Sequence, residues 1–199
     1  MNRLLRWVWA PIAGIILGPC QNPRRIKLRA LEIATIRVLG IDPGSQRTGF
    51  GVLDATGSRL TYVASGVIRT TQVEFAARLC EIFRCMQTIV TQYQPQEIAI
   101  EKVFINRNPD SALKLGQARG AAICGTADSK AGVFEYATRQ IKQAVVGSGN
   151  AEKAQVQLMM RSILKLDGPV PADAADALAA AVCHALRGRV LLLRAGFGG

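Results

Sequence analysis

From Arg37 the sequence runs VLGIDPGS, an apolar stretch closed by Asp42, Pro43 and Gly44. TGFGVLDATGSRLTYVASGVIRT follows and breaks at Gly57 and Ser58 into two more strand-like runs. Connections this short make the three runs antiparallel neighbours. Thr71 and Glu74 have capping-box spacing. After them Phe75, Leu79, Ile82, Phe83, Met86, Ile89, Val90 and Tyr93 recur every three or four residues, the period of a helix. That helix ends near Pro95, and EIAIE follows as a short buried strand. A strand–helix–strand crossover predicts that this strand runs parallel to the one ending in Asp42, with Glu101 at the same sheet edge. The pattern then predicts a helix from about Asp110 to Ala127, a fifth strand at Val133 to Tyr136 and a helical stretch after Thr138. Gly147, Ser148 and Gly149 interrupt the chain, and Asn150 is placed to cap a helix carrying Val156, Met159, Met160, Ile163 and Leu164. An Ala-rich helix from around Ala172 to about Arg187 has side chains small enough to pack flat on a sheet. The expected class is α/β, a five-stranded mixed sheet flanked by helices.

Charge adds an acidic partner to this picture. Of 199 residues, 25 are Lys or Arg and 14 are Asp or Glu, a net charge of +11, and 49% are hydrophobic. The apolar share supports a core and excludes a disordered chain, while the positive excess suits nucleic acid or anionic lipid. Five cysteines (Cys20, Cys80, Cys85, Cys124 and Cys183) form neither a CxxC pair nor a zinc spacing. Their odd number argues against a complete disulfide framework and for a reducing, cytoplasmic compartment. Residues 1–35 stand apart as a basic, apolar leader. Its run WVWAPIAGIILGPC has the charged start and short apolar centre of a secretory signal. Pro11 interrupts that run, no A-x-A-like site follows, and it is shorter than the roughly 20 apolar residues of a membrane span. A poorly ordered leader or an upstream translation start is the simpler expectation. A domain over 36–189, a tail over 190–199 and no membrane partner complete the organisation.

Three features carry candidate chemistry. Asp42 ends an apolar strand where a loop opens, a place equally suited to a turn-forming Asp before Pro-Gly. Glu101 terminates Ile98, Ala99 and Ile100, where a carboxylate needs a cation or donor to stay charged; a frayed strand end is the alternative. PADAADALAAA sets Asp173 and Asp176 three residues apart on one helix face, although an Asp there also caps orphan amides and complements the helix dipole. Four such carboxylates brought to roughly 4 Å would repel by about 4 kcal/mol per pair at an effective dielectric of 20. Such a cluster takes up protons or cations, and oxygen-only donors favour Mg²⁺ or Mn²⁺. Two Mg²⁺ ions would balance four negative charges and suit phosphodiester hydrolysis.

The stretches GIDPGSQRTGFGV, AIEKVFINRNPDSALKLGQARG, FEYATRQIKQAVVGSGNAEKAQVQ and PADAADALA, in this order, closely resemble the bacterial RuvC family of Holliday junction resolvases from Ile36 to about Arg189. The resemblance implies an RNase H-like fold and metal ligation by Asp42, Glu101, Asp173 and Asp176. It also implies a homodimer making two symmetric nicks across four-way junction DNA delivered by the RuvA and RuvB branch-migration proteins. Phe104 corresponds to an aromatic that stacks on an unpaired base, against the alternative of a core Phe. Lys142 and Lys153 correspond to basic residues near the scissile phosphate; otherwise they are solvated surface lysines. Arg107, Lys114 and Arg119 are candidates for backbone contacts. Gly116 and Gly120, costly on a helix, imply close packing against the sheet or a dimer partner. The glycines of GSGNA suit a turn before a phosphate-accepting helix start. His184, about 16 Å along the helix from Asp173, reads as a buried structural residue. The leader has no counterpart, and Lys102 stands where relatives often carry a neutral residue. A DxG hairpin also cradles phosphate in actin-like ATPases and sugar kinases, which need a second such domain. A non-catalytic junction-binding protein is expected to have lost the acids.

Overall fold

The computed structural model describes residues 34–102 and 108–196, with side chains to 188. Its elements are β1 (Thr35–Asp42), β2 (Arg47–Thr56), β3 (Arg59–Arg69), α1 (Phe75–Tyr93), β4 (Glu97–Glu101), α2 (Pro109–Cys124), β5 (Gly132–Tyr136), α3 (Thr138–Val146), α4 (Lys153–Leu164) and α5 (Ala172–Gly196). The five strands form one sheet in the order β3-β2-β1-β4-β5. β1 to β3 are antiparallel neighbours, whereas β4 runs parallel to both β1 and β5. The expected mixed sheet and the α1 crossover are both present.

Strand alternation divides the core in two. Leu39, Ile41, Val52, Ile98 and Ile100 point toward α1 and α2, where they meet Ile82, Met86, Ala118 and Ala122. Val38, Leu53 and Ala99 point the other way, into α3, α4 and α5, against Val156, Met160, Leu178 and Val182. Full burial of a side chain such as Met86 or Leu178 contributes roughly 1.5–3 kcal/mol. α5 lies closest to the sheet, as its alanines predict. Gly40 is the reason it can: a Cβ there would fall 1.9 Å from the Ala177 carbonyl oxygen.

Several boundaries differ from the sequence expectations. Thr71 does not box with Glu74: its backbone N–H donates to Glu81 Oε2 at 2.9 Å, and Glu74 itself occupies the cap position without a side-chain bond. α2 begins at Pro109 because Asn108 Oδ1 accepts from Asp110 and Ser111, and it ends at Cys124 before a short 3-10 turn at Ala127–Ser129. Asn150 caps nothing. Glu152 precedes α4, and its N–H donates to Gln155 Oε1 at 2.8 Å. The GSG turn closes α3, with Gly147 at φ 83°, instead of opening α4. α5 continues to Gly196 because the Leu-rich run after Arg187 keeps helix propensity.

His184 is buried, as expected. Its Nδ1 pairs with the Tyr136 hydroxyl at 2.7 Å, its Nε2 with Glu97 Oε2 at 2.6 Å, and its ring lies 4.5 Å from that of Phe134. One helix side chain thus ties the edge strand β5 to the start of β4. Among the described residues no helix is long and apolar enough to cross a membrane.

Candidate active site

Asp42 ends β1 and Glu101 ends β4. Ile41 lies opposite Ile100 in parallel register, so the two acids leave the sheet side by side at its carboxyl end. Alternation puts both on the α5 face, with Val38 and Ala99. α5 supplies the other two acids from its first turns. Gly49, the register partner of Asp42 on β2, has its missing Cβ 1.9 Å from the Asp173 carbonyl oxygen. Any side chain at Gly49 or Gly40 would lift the helix and its acids away.

Asp42, Glu101 and Asp176 line one cavity of about 210 Å³, together with Lys142 of α3 and Lys153 of α4. Ile141, Val156 and Ala179 give it apolar walls. Each outer acid has a partner. Lys153 Nζ lies 3.0 Å from Asp176 Oδ2, and the Thr138 hydroxyl donates to Glu101 Oε1. Asp173 does not line the cavity; its Oδ2 lies 3.0 Å from Arg47 Nε.

Electrostatics single out Asp42. Burial, then the negative charges of Glu101, Asp176 and Asp173, push its carboxyl up to about 7 against the opposing pull of Lys153. Burial also raises Glu101, and the Thr138 hydrogen bond only partly offsets it. Lys153 is raised above an ordinary lysine by its hydrogen bond to Asp176 and the surrounding acids. Among the described residues, no three acidic, His or Cys side chains are gathered closely enough to grip an ion as they are placed. Glu101, Asp176 and Asp173 are engaged instead with Thr138, Lys153 and Arg47. Yet all-oxygen donors at a charge-frustrated centre are the chemistry that a hard divalent cation satisfies, so the residue set fits such an ion.

A family model described as "Crossover junction endodeoxyribonuclease RuvC" matches residues 38–184. The chain belongs to the RuvC family. A member from Pseudoalteromonas translucida is 56% identical over 159 residues, covering 80% of this chain and 91% of that one. A member from Vibrio cholerae is 53% identical, covering 80% and 92%. Among solved structures, Thermus thermophilus RuvC in complex with Holliday junction substrate superposes with a TM-score of 0.73 at 35% identity, covering 78% of this chain and 96% of that one. The sheet is thus that of an RNase H-like nuclease. RuvC-family nucleases are metal-dependent.

The other residues singled out in the sequence fall in different places. Phe104 and Arg107 lie outside the described residues, as does the leader through residue 33; Thr35, placed in the leader from sequence, already opens β1. Lys114 is paired along its own helix with Asp110 at 2.7 Å. Arg119 is largely covered and ion-paired with Glu135, bracing α2 against β5. Gly116 and Gly120 do not serve α2-to-sheet packing, since a Cβ at either would meet nothing within 4 Å among the described residues. Two polar contributors escaped the sequence reading. Thr138 gave a signal as the first helical residue after a strand ending at the same sheet edge; Arg47 gave none beyond being a base in the hairpin.

Proposed function

We propose that the carboxylate cavity is the hydrolytic centre of a structure-specific endonuclease that resolves Holliday junctions by paired, symmetric nicks. Asp42, Glu101, Asp173 and Asp176 would hold the divalent cations, two Mg²⁺ per site with Mn²⁺ able to substitute. When bound, these supply the activation of a water and the stabilisation of the leaving oxygen during phosphodiester hydrolysis. The chain's own groups then have distinct tasks. Asp42, forced near neutrality in charge by its neighbours, is the acid with most to gain from a cation. Thr138 holds Glu101 in one orientation by a charge-assisted hydrogen bond. Lys142 and Lys153, on the cavity wall, neutralise the phosphate under attack. Phe104 would stack on an unpaired base at the junction.

The observation that carries this reading is the convergence of three carboxylates and two lysines, drawn from β1, β4, α3, α4 and α5, on one cavity at the carboxyl end of parallel strands.

The partners follow from the same reading. Paired nicks need two sites, supplied by a homodimer. Gly116 and Gly120, uncovered among the described residues, support α2 as its contact, because a glycine pair costs about 1 kcal/mol per residue that no described residue offsets. Four-way junction DNA is the substrate, presented by RuvA and RuvB, and cytoplasmic location accords with the free cysteines. The test is incubation of labelled four-way junction and linear duplex with and without Mg²⁺. Paired nicks confined to the junction, absent in D42N and absent without divalent ion, support the reading. Retention without cutting, or ATP turnover, contradicts it.

A further inference from the structure

A second concentration of charge lies beyond Asp173. Arg47 opens β2, Arg69 closes β3, and the two are direct cross-strand partners. Such partners share a face with Cβ atoms about 4.5–5.5 Å apart, and like charges placed opposite one another destabilise the pairing. Arg47 relieves part of this by reaching Asp173, yet 53% of its side chain stays exposed. Arg69 is exposed too, and among the described residues no carboxylate forms an ion pair with it. Two guanidinium groups held side by side at a solvent-facing strand end are suited to an anion that bridges them, and their planar forks match phosphate oxygens in pairs.

Position identifies the class of anion. The strand order places Arg69 and Arg47 first, Asp42 and Glu101 next, and then the wall bearing Lys142, all at one end of the sheet. Cations therefore flank the acids on both sides. A compact anion can use one flank only; an anion engaging both must be extended and carry regularly spaced charge, as a polynucleotide backbone does.

We propose that Arg47 and Arg69 form a phosphate-binding pair that carries the DNA backbone away from the carboxylate cavity, on the side opposite Lys142. The proposal deepens the nuclease reading and rests on it. In the metal-free protein Asp173 keeps Arg47 aimed across the sheet end, and Arg69 extends the track outward along β3.

Binding of the full chain to a four-way junction in EDTA, over a series of salt concentrations, tests this. R47Q, R69Q and R47Q/R69Q are compared with wild type and with R59Q at the opposite end of β3, and thermal unfolding checks each fold. Each lost phosphate contact lowers the magnitude of the slope of log K against log salt by about 0.9, so the double variant loses about 1.8 per protomer. R47K and R69K keep the slope. An unchanged slope in R47Q/R69Q overturns the proposal. So does an equal fall in R59Q, which would reduce the effect to overall charge, or weaker binding accompanied only by lost thermal stability. No cleavage is involved: D42N that still nicks would remove the cavity reading and leave this slope to be judged by itself.

Discussion

D42N should make the metal-free protein more stable at alkaline pH while abolishing its cutting. Asp42 titrates near 3.8 when unperturbed and is pushed up to about 7 in the folded chain, first by burial and then by Glu101, Asp176 and Asp173. A group raised on folding contributes stability that is full below its unfolded value and is lost as pH climbs through its folded value. That gap, at about 1.36 kcal/mol per pH unit, corresponds to about 4 kcal/mol lost between pH 4 and pH 8. For a domain of this size it amounts to roughly 10 °C in Tm. Asn keeps the shape and removes the charge. Thermal unfolding in EDTA should therefore show wild type falling across this window while D42N falls much less, the two curves meeting at acid pH. Added Mg²⁺ should raise the Tm of wild type more than that of D42N. Equal pH profiles for the two proteins would refute the account of Asp42 as the frustrated centre of the cluster.

Other perturbations address separate links. K142A/K153A should cut four-way junction far more slowly in single-turnover assays and flatten the salt dependence of binding, because both lysines stand on the cavity wall. G40A drives a methyl group into the Ala177 carbonyl 1.9 Å away and should cost about 1–3 kcal/mol or more in urea unfolding, with activity lost alongside as α5 shifts. H184F should cost about 1–3 kcal/mol by leaving the Tyr136 hydroxyl and Glu97 unpaired, with hydrogen exchange rising along β5. G116L/G120L tests the proposed α2 dimer contact: the protomer should stay folded, since neither position is crowded among the described residues, and sedimentation should shift from dimer to monomer.

The five strands and the crossover were legible as short apolar or β-branched runs bounded by turn residues; β1 and β4 are buried on both faces, and β5, largely exposed, shows in its Val133, Phe134 and Tyr136 run alone. Asp42 and Glu101 stand out because each ends an apolar run where burial makes a charge costly, and Asp176 because it shares a helix face with Asp173; that Asp173 turns to Arg47 instead of the cavity was not legible. Helix starts were less legible. Thr71 has its partner at Glu81, a choice made by tertiary placement of α1, and Glu152 rather than Asn150 opens α4 because the GSG turn is used to close α3. Gly40 and Gly49 read in sequence as ordinary strand glycines; only the packed helix reveals them as the seats that bring Asp173 and Asp176 to Asp42. Thr138 and Arg47 are polar residues in polar surroundings, and nothing in a single sequence separates them from other surface positions.

Anomalous diffraction from crystals soaked in Mn²⁺ examines the metal-binding claim most directly. The account predicts peaks about 2.0–2.2 Å from oxygens of Asp42, Glu101 and Asp176, with Asp173 turned from Arg47 to complete the shell, and no such peaks in D42N crystals. Peaks elsewhere in a protein that still cuts junctions, or an unaltered pattern in D42N, would contradict it.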